Sequence, residues 1–476
     1  MKKEIVTNGV HTYTAAEQYV PPKEPEVQAH VKWFMGLKLG FMMHWAPGCQ
    51  LGTLESWPLS DGDASWSQVD VDWTDIETFK QQYINANKTF NPVKFRPDKW
   101  AQLAEECGFK YLLFTTKHHD GFCMFDTATT DYKITAPSCP FHTSPYANIT
   151  RSLYEEFRKR GMAISVYFSK PDWHCDDYWH RDFGTAPTRN VNYSIQEYPQ
   201  LWDRFVSYTH RQLEELGNDY GKIDCLWLDG GWVNKDNLNQ DIRLGEIVEK
   251  LRKGPQPHLI VCDRTVGGEY ENIVTPEKQV PEEPLFIPWE TCTTVGEKFS
   301  FHYTDHFKSG RQLVHLLLDI VSKGGNLALN LAPQPDGELP AEKIGEPGNI
   351  LGRATVAYLG QDVGQVFPVG TRSVRLDDHI GKPHTQPSFA NERCERPRLP
   401  PVVNAGGGIV YAVPQFASGH SRSFDAKIQK PAAPENKKSG RRPGFSLFFF
   451  IRNHNMLNLY VPLKVKPNDV KHRSDP

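Results

Sequence analysis

Two acidic residues follow apolar runs, where a carboxylate can be buried and still reachable. Asp229 closes Ile223-Asp224-Cys225-Leu226-Trp227-Leu228 and precedes Gly230-Gly231-Trp232, so the backbone beside it carries no side chain to block an approaching ring. Glu290 closes Phe286-Ile287-Pro288-Trp289, and apolar neighbours there would raise its pKa and keep it protonated near neutrality. One ionised and one protonated carboxyl make the nucleophile and proton donor that glycoside hydrolysis requires. The plain alternatives are an aspartate that caps a turn and a salt-bridged loop glutamate. Glu282 and Glu283 compete for the second role but lie in a Pro-rich loop.

Other polar residues end apolar runs in the same way: His44 after LGFMM, His118-His119-Asp120 after LLFTTK, Tyr167 and Ser169 in VYFSK, and Arg264 after IVCD. The run Lys117 to Phe122 admits three readings: metal ligation, recognition of substrate hydroxyls, or a histidine pair satisfied in the core. Consecutive strand residues point to opposite faces, so both imidazoles could ligate one ion only beyond the strand's end. No third ligand stands at helical spacing.

These residues need a scaffold that brings strand ends together. Short apolar runs recur at Leu39–Trp45, Tyr111–Thr116, Ala163–Phe168, Ile223–Leu228, Leu259–Cys262, Phe286–Trp289 and Leu327–Leu331. Amphipathic segments lie between them. Trp100, Leu103, Ala104 and Cys107 form one stripe after Arg96-Pro97-Asp98; Ser152–Arg160 and Glu197–Leu216 end near Gly161 and Gly217; Leu313 to Val321 ends at Gly324. Seven or so such units, with no glycine-rich phosphate loop after the first strand, predict an α/β fold, an irregular (β/α)8-like TIM barrel. Active sites of such barrels sit at the C-terminal strand ends, where the polar residues above fall.

The formal charge of −3 argues against nucleic acid or an anionic membrane as partner. It conceals an asymmetry, because residues 341–476 hold 20 Lys and Arg against 11 Asp and Glu, a net +9 that leaves −12 for residues 1–340. The predicted organisation is accordingly a catalytic barrel over 1–340 and an atypical basic, Pro/Gly-rich region over 341–476 for which poor order is one expectation. Nine cysteines without a CxxC pair indicate neither a zinc knuckle nor a disulfide framework. The N-terminal MKKEIVTNGVHTY lacks the apolar core of a signal peptide, and no run reaches membrane-spanning length; a cytoplasmic setting is the expectation from the sequence as written. With 12 Trp and 18 Tyr the chain has ample aromatic surface for stacking on sugar rings.

The motifs MHW with ESW, KHHDGF, YFSKPDW, WLDGGW, PWETC and GGNLALNLAPQPDG occur in that order over about residues 30–340. Together they resemble glycoside hydrolase family 29, the α-L-fucosidases. The resemblance implies a retaining double displacement on fucosylated glycans, with no metal and no organic cofactor. It implies Asp229 as nucleophile and Glu290 as acid/base. His44, Glu55, His118 and His119 would bind fucose hydroxyls, with Trp57, Tyr167, Trp227 and Arg264 completing the pocket. Linkage preference and oligomeric state are not implied. Members are commonly exported. Similar enzymes finish the barrel with a further helix and add a β-sandwich, and neither is recognisable after Ala341.

Overall fold

Every residue of the seven strands described below is buried except Asp229, at the end of one of them. The computed structural model describes residues 5–8 and 11–339 apart from 61–63, 65–66, 68–70, 72–74 and 187, together with strand pieces at 402–403, 409–410, 446–447 and 463–464. A hairpin, β1 (Ile5–Asn8) with β2 (His11–Thr14), and α1 (Pro25–Met35) lead into the barrel. Its strands are β3 (Leu39–Met43), β4 (Tyr111–Lys117), β5 (Ala163–Ser169), β6 (Cys225–Asp229), β7 (Ile260–Asp263), β8 (Glu290–Thr294) and β9 (Asn326–Asn330). They form one parallel sheet in the order β7-β6-β5-β4-β3-β9-β8.

The helices α2 (Ile76–Asn85), α3 (Pro97–Glu106), α4 (Ile149–Lys159), α5 (Pro199–Asp219), α6 (Leu244–Lys253) and α7 (Gly310–Ser322) fall between the strands. With an apolar face under helices and a second apolar layer inside, the strands are hydrophobic on both sides, which is why they read as continuous runs. Pro97 begins α3, and Trp100, Ala101 and Ala104 are its buried positions. Helix α5 does not stop at Gly217 as its spacing suggests but continues to Asp219. A Cβ at Gly217 would lie 2.4 Å from Leu251 of α6, so this glycine permits close helix packing rather than a stop.

The predicted strand Phe286–Trp289 requires correction. Phe286 is exposed with φ of +54° and Pro288 has no N–H to donate; the strand begins only at Glu290 and consists of Glu-Thr-Cys-Thr-Thr. β-Branched threonines fit a pleated strand without making an apolar run. The phase error moves Glu290 from the end of a strand to its beginning.

Between β7 and β8 runs an irregular segment, residues 270–278, hydrogen-bonded to both. Asn272 N–H donates to Val261 O (2.8 Å) and Asp263 N–H to Tyr270 O (2.9 Å) on one side. On the other, Glu290 N–H donates to Val274 O and Lys278 N–H to Cys292 O, each at 2.9 Å. The segment runs parallel to β8, with Val274 opposite Trp289 and Glu277 opposite Cys292. It occupies the place of an eighth stave.

Beyond residue 339, Val402–Val403 pairs antiparallel with Ile409–Val410, and Ser446–Leu447 with Leu463–Lys464. The expectations for 341–476 otherwise lie outside the described residues. Among those described, no helix is long and apolar enough to cross a membrane.

Candidate active site

The C-terminal strand ends open into a cavity of about 650 Å³. Asp229, His44, Glu55, Trp57, His118, Tyr167, Trp227 and Arg264 all line it; His119 and Glu290 do not. Asp229, the last residue of β6, lies against the floor. Its Oδ1 accepts from Arg264 Nη1 at 2.7 Å and its Oδ2 from the Tyr167 hydroxyl at 2.5 Å. Gly231 is required beside it, because a Cβ there would meet Thr265 Oγ1 at 1.9 Å and Arg264 O at 2.7 Å. Trp232, after the two glycines, and Trp57 form walls, their ring centroids 5.7 Å apart.

Burial works to raise the pKa of Asp229, but the Arg264 charge and the Tyr167 hydroxyl outweigh it and hold the carboxyl well below the usual carboxylate range. His119 adds little to this as a cation, because burial keeps its own pKa well below that of free imidazole. The same desolvation lowers His44 well below its ordinary value and His118 to about 4. The site therefore presents neutral imidazoles. His118 Nδ1 is 2.6 Å from Ser56 Oγ, whereas His44 Nδ1 and both ring nitrogens of His119 have no hydrogen-bond partner among the described residues. His119 stands behind the wall, packed on Trp57, Trp173 and Trp232, with Nε2 3.8 Å from Asp229 Oδ2. Buried unpaired polar atoms are rare, and at a cavity they are the atoms a polyhydroxylated ligand would satisfy. Glu55 bonds the Ser300 N–H at 2.8 Å, and burial raises its pKa.

Glu290 faces inward one layer below this floor. As the first residue of β8 it lies two residues, about 7 Å, short of the level of Cys292, which does line the cavity. Its Oε2 accepts from the Tyr111 hydroxyl at 2.5 Å and its Oε1 from the Trp227 indole N–H at 3.0 Å. The expected raised pKa is present, with burial pushing it up to about 7 against those two hydrogen bonds. The expected access is not, since Glu290 does not line the cavity and both its oxygens are taken by Tyr111 and Trp227. Of the glutamates that line the cavity, Glu55, Glu277 and Glu297, it is Glu277, on the irregular stave opposite Cys292, that shares Arg264 with Asp229. Its Oε2 accepts from Arg264 Nη2 at 2.8 Å, so one guanidinium spans the two carboxylates and sets their oxygens within about 8 Å of each other.

Residues 7–346 match the family model for α-L-fucosidase. The chain belongs to the α-L-fucosidase family. It is 26% identical over 271 residues to human tissue α-L-fucosidase, an alignment covering 54% of this chain and 52% of that one. A plasma α-L-fucosidase of Rattus norvegicus is also 26% identical over 342 residues, covering 67% of this chain and 68% of that one. The chain thus spans about half the length of the human relative. Among solved structures, α-L-fucosidase isoenzyme 1 of Paenibacillus thiaminolyticus superposes with a TM-score of 0.55 at 26% identity, over 70% of this chain and 77% of that one. An α-L-fucosidase of Lactobacillus casei, solved with α-L-fucose, gives 0.52 at 25% identity over 68% and 97%.

Trp232, seen in the sequence only as a neighbour of Asp229, lines the cavity, as do Glu277, Arg189 and Phe299, which sequence reasoning missed. Glu277 sits in VTPEKQVPEEP, beside the very glutamates considered as rivals, and no apolar run announces it. Two groups of described residues have donors suited to a metal. In His118, His119 and Asp229 the Arg264 guanidinium already sits on the carboxylate; in His30, Asp224 and His258, Lys222 Nζ sits 2.7 Å from Asp224 Oδ1. A cation at either place would face a positive charge already installed.

Proposed function

We propose that this chain is a retaining exo-α-L-fucosidase acting on terminal α-L-fucosyl residues of glycans, with Asp229 as nucleophile and Glu277, rather than Glu290, as acid/base. The observation that carries the reading is the single guanidinium of Arg264 bonded to both carboxylates at the cavity floor. The relative solved with α-L-fucose and the membership of the family support fucose as the sugar.

In the first step a carboxylate oxygen of Asp229 attacks the anomeric carbon while Glu277 passes its proton to the departing glycosidic oxygen, through an oxocarbenium-like transition state. The pair then carries one negative charge before and after: on Asp229 at the start, on Glu277 once Asp229 is esterified. Arg264 stabilises both states without moving, which is how a preorganised charge lowers a barrier. In the second step Glu277 takes a proton from water, the water oxygen attacks the anomeric carbon, and the ester bond to Asp229 breaks. The neutral rings of His44 and His118 can donate to or accept from sugar hydroxyls, and Trp57 and Trp232 offer faces to the apolar side of the ring.

The test is hydrolysis of aryl α-L-fucoside against a panel of other aryl glycosides, with the first-formed anomer followed by NMR. Turnover of the fucoside with α-L-fucose appearing first is the expected result. Absence of turnover above the uncatalysed rate, or β-L-fucose appearing first, would overturn it.

A further inference from the structure

Glu290 is a buried ionisable group that the mechanism above does not use, and it touches the site from below. Glu290 bonds Trp227 and Tyr111, and it is the acceptor of the Trp227 indole N–H. Trp227 in turn carries both groups that hold the nucleophile. The Tyr167 ring stacks on it with centroids 5.2 Å apart and planes at 28°, and the Arg264 guanidinium lies 4.3 Å from its ring centroid. Tyr167 and Arg264 are the hydrogen-bond donors to the two oxygens of Asp229. A rotation of the indole about its own axis would therefore shift both partners of the attacking carboxylate at once.

We propose that Glu290 is a positioning residue for the nucleophile: its carboxylate locks the indole of Trp227, and the locked indole fixes Tyr167 and Arg264 on the two oxygens of Asp229. The proposal rests on the reading of Asp229 as nucleophile. An ordinary core role would ask for less. A buried carboxylate is a poor device for stability alone, since replacing buried charged groups by apolar ones of similar volume is often neutral or stabilising. Glu290 uses both oxygens on donors that belong to two different strands, β4 and β6, and one of those donors is in the wall of the site. Burial pushes its pKa up to about 7, so it can serve as an acceptor in either protonation state.

The experiment compares Glu290→Gln, Glu290→Leu, Trp227→Phe and the Glu290→Leu/Trp227→Phe double variant, on two aryl fucosides of good and poor leaving-group ability. Glu290→Gln keeps an acceptor for the indole and should retain most of kcat/KM. Glu290→Leu and Trp227→Phe should each lower kcat/KM about 10- to 100-fold, by the same factor on both substrates, with the double variant no worse than the poorer single one. Should Glu290→Leu fail to fold, Glu290→Met, a flexible side chain of similar length with no strong acceptor, takes its place in the same cycle with Trp227→Phe. Losses that multiply in the double variant would sink the linkage. A loss in Glu290→Gln confined to the poor leaving group would instead make Glu290 the proton donor. The underlying assignment is checked separately by trapping with 2-fluorofucosyl fluoride and locating the label by mass spectrometry. A label away from Asp229 defeats the nucleophile reading, whereas a label on Asp229 formed at the wild-type rate in Glu290→Leu defeats only the present inference.

Discussion

At the end of β6 a carboxylate is held ionised by a guanidinium and a phenol, while at the start of β8 another is held by a phenol and an indole, with no cation in hydrogen-bond reach among the described residues. Both follow an apolar stretch that contains tryptophan, but Glu290 is buried whereas the Asp229 side chain keeps 19% of its surface exposed. They differ in strand level and in the charge opposite. The cation at Asp229 reverses the effect of burial, whereas at Glu290 burial prevails. A raised pKa by itself does not bring a carboxyl to the cavity, since Glu290, which carries it, does not line it.

Substitution at Asp229 should have the largest effect. Asp229→Gly should lower kcat on an aryl fucoside about 10⁴-fold or more, with partial recovery in azide, since it removes the bond-forming atom itself; activity within tenfold of wild type would end the contrast. Glu277→Gln should cost about 10²- to 10⁴-fold on a substrate with a poor leaving group and far less on an activated one, as loss of general acid catalysis does. An equal loss in Glu290→Gln and none in Glu277→Gln would invert the two regions. Gly231→Ala should come next: its Cβ would push into Thr265 and the Arg264 carbonyl, and a shift of about 1 Å in Arg264 is worth up to 10²-fold in kcat/KM. A wild-type value there would show that Arg264 tolerates displacement.

The smallest effect concerns stability. Glu290 is raised from an ordinary 4.5 to about 7 in the folded protein. Between those values the native state binds more protons than the unfolded one, so this group lowers stability as pH rises from about 4.5 to about 7, by about 3 kcal/mol as an upper bound. Asp229, depressed, contributes in the opposite sense and only in more acidic solution. Thermal melts of Glu290→Gln should consequently show a shallower decline over that window than wild type, and an unchanged slope would mean that Glu290 is ionised throughout.

Much of the site was legible in the residues. WLDGGW placed an aspartate at a strand end beside glycines, and the structure brings it together with His44, Glu55, Trp57, His118, Tyr167, Trp227 and Arg264. These positions were readable because a strand buried on both faces leaves a continuous apolar run whose polar end is unmistakable. PWETC was not readable in the same way: the apolar residues precede the strand, and the threonines that form it carry no apolar signal. Glu277 was hidden for a further reason. It lies on an irregular stave rich in proline and charge, so nothing local marks it as part of the barrel wall.

Residue pattern alone sufficed for six of the seven barrel strands and for Asp229 at the end of one, because a strand buried on both faces leaves a continuous apolar run in its own residues; it misplaced only β8. Which glutamate shares Arg264 with Asp229 was settled by the folded arrangement instead. That choice depends on the register of β8 against residues 270–278 and on a guanidinium arriving from the end of β7, and pairing between distant segments is written in no single stretch of residues.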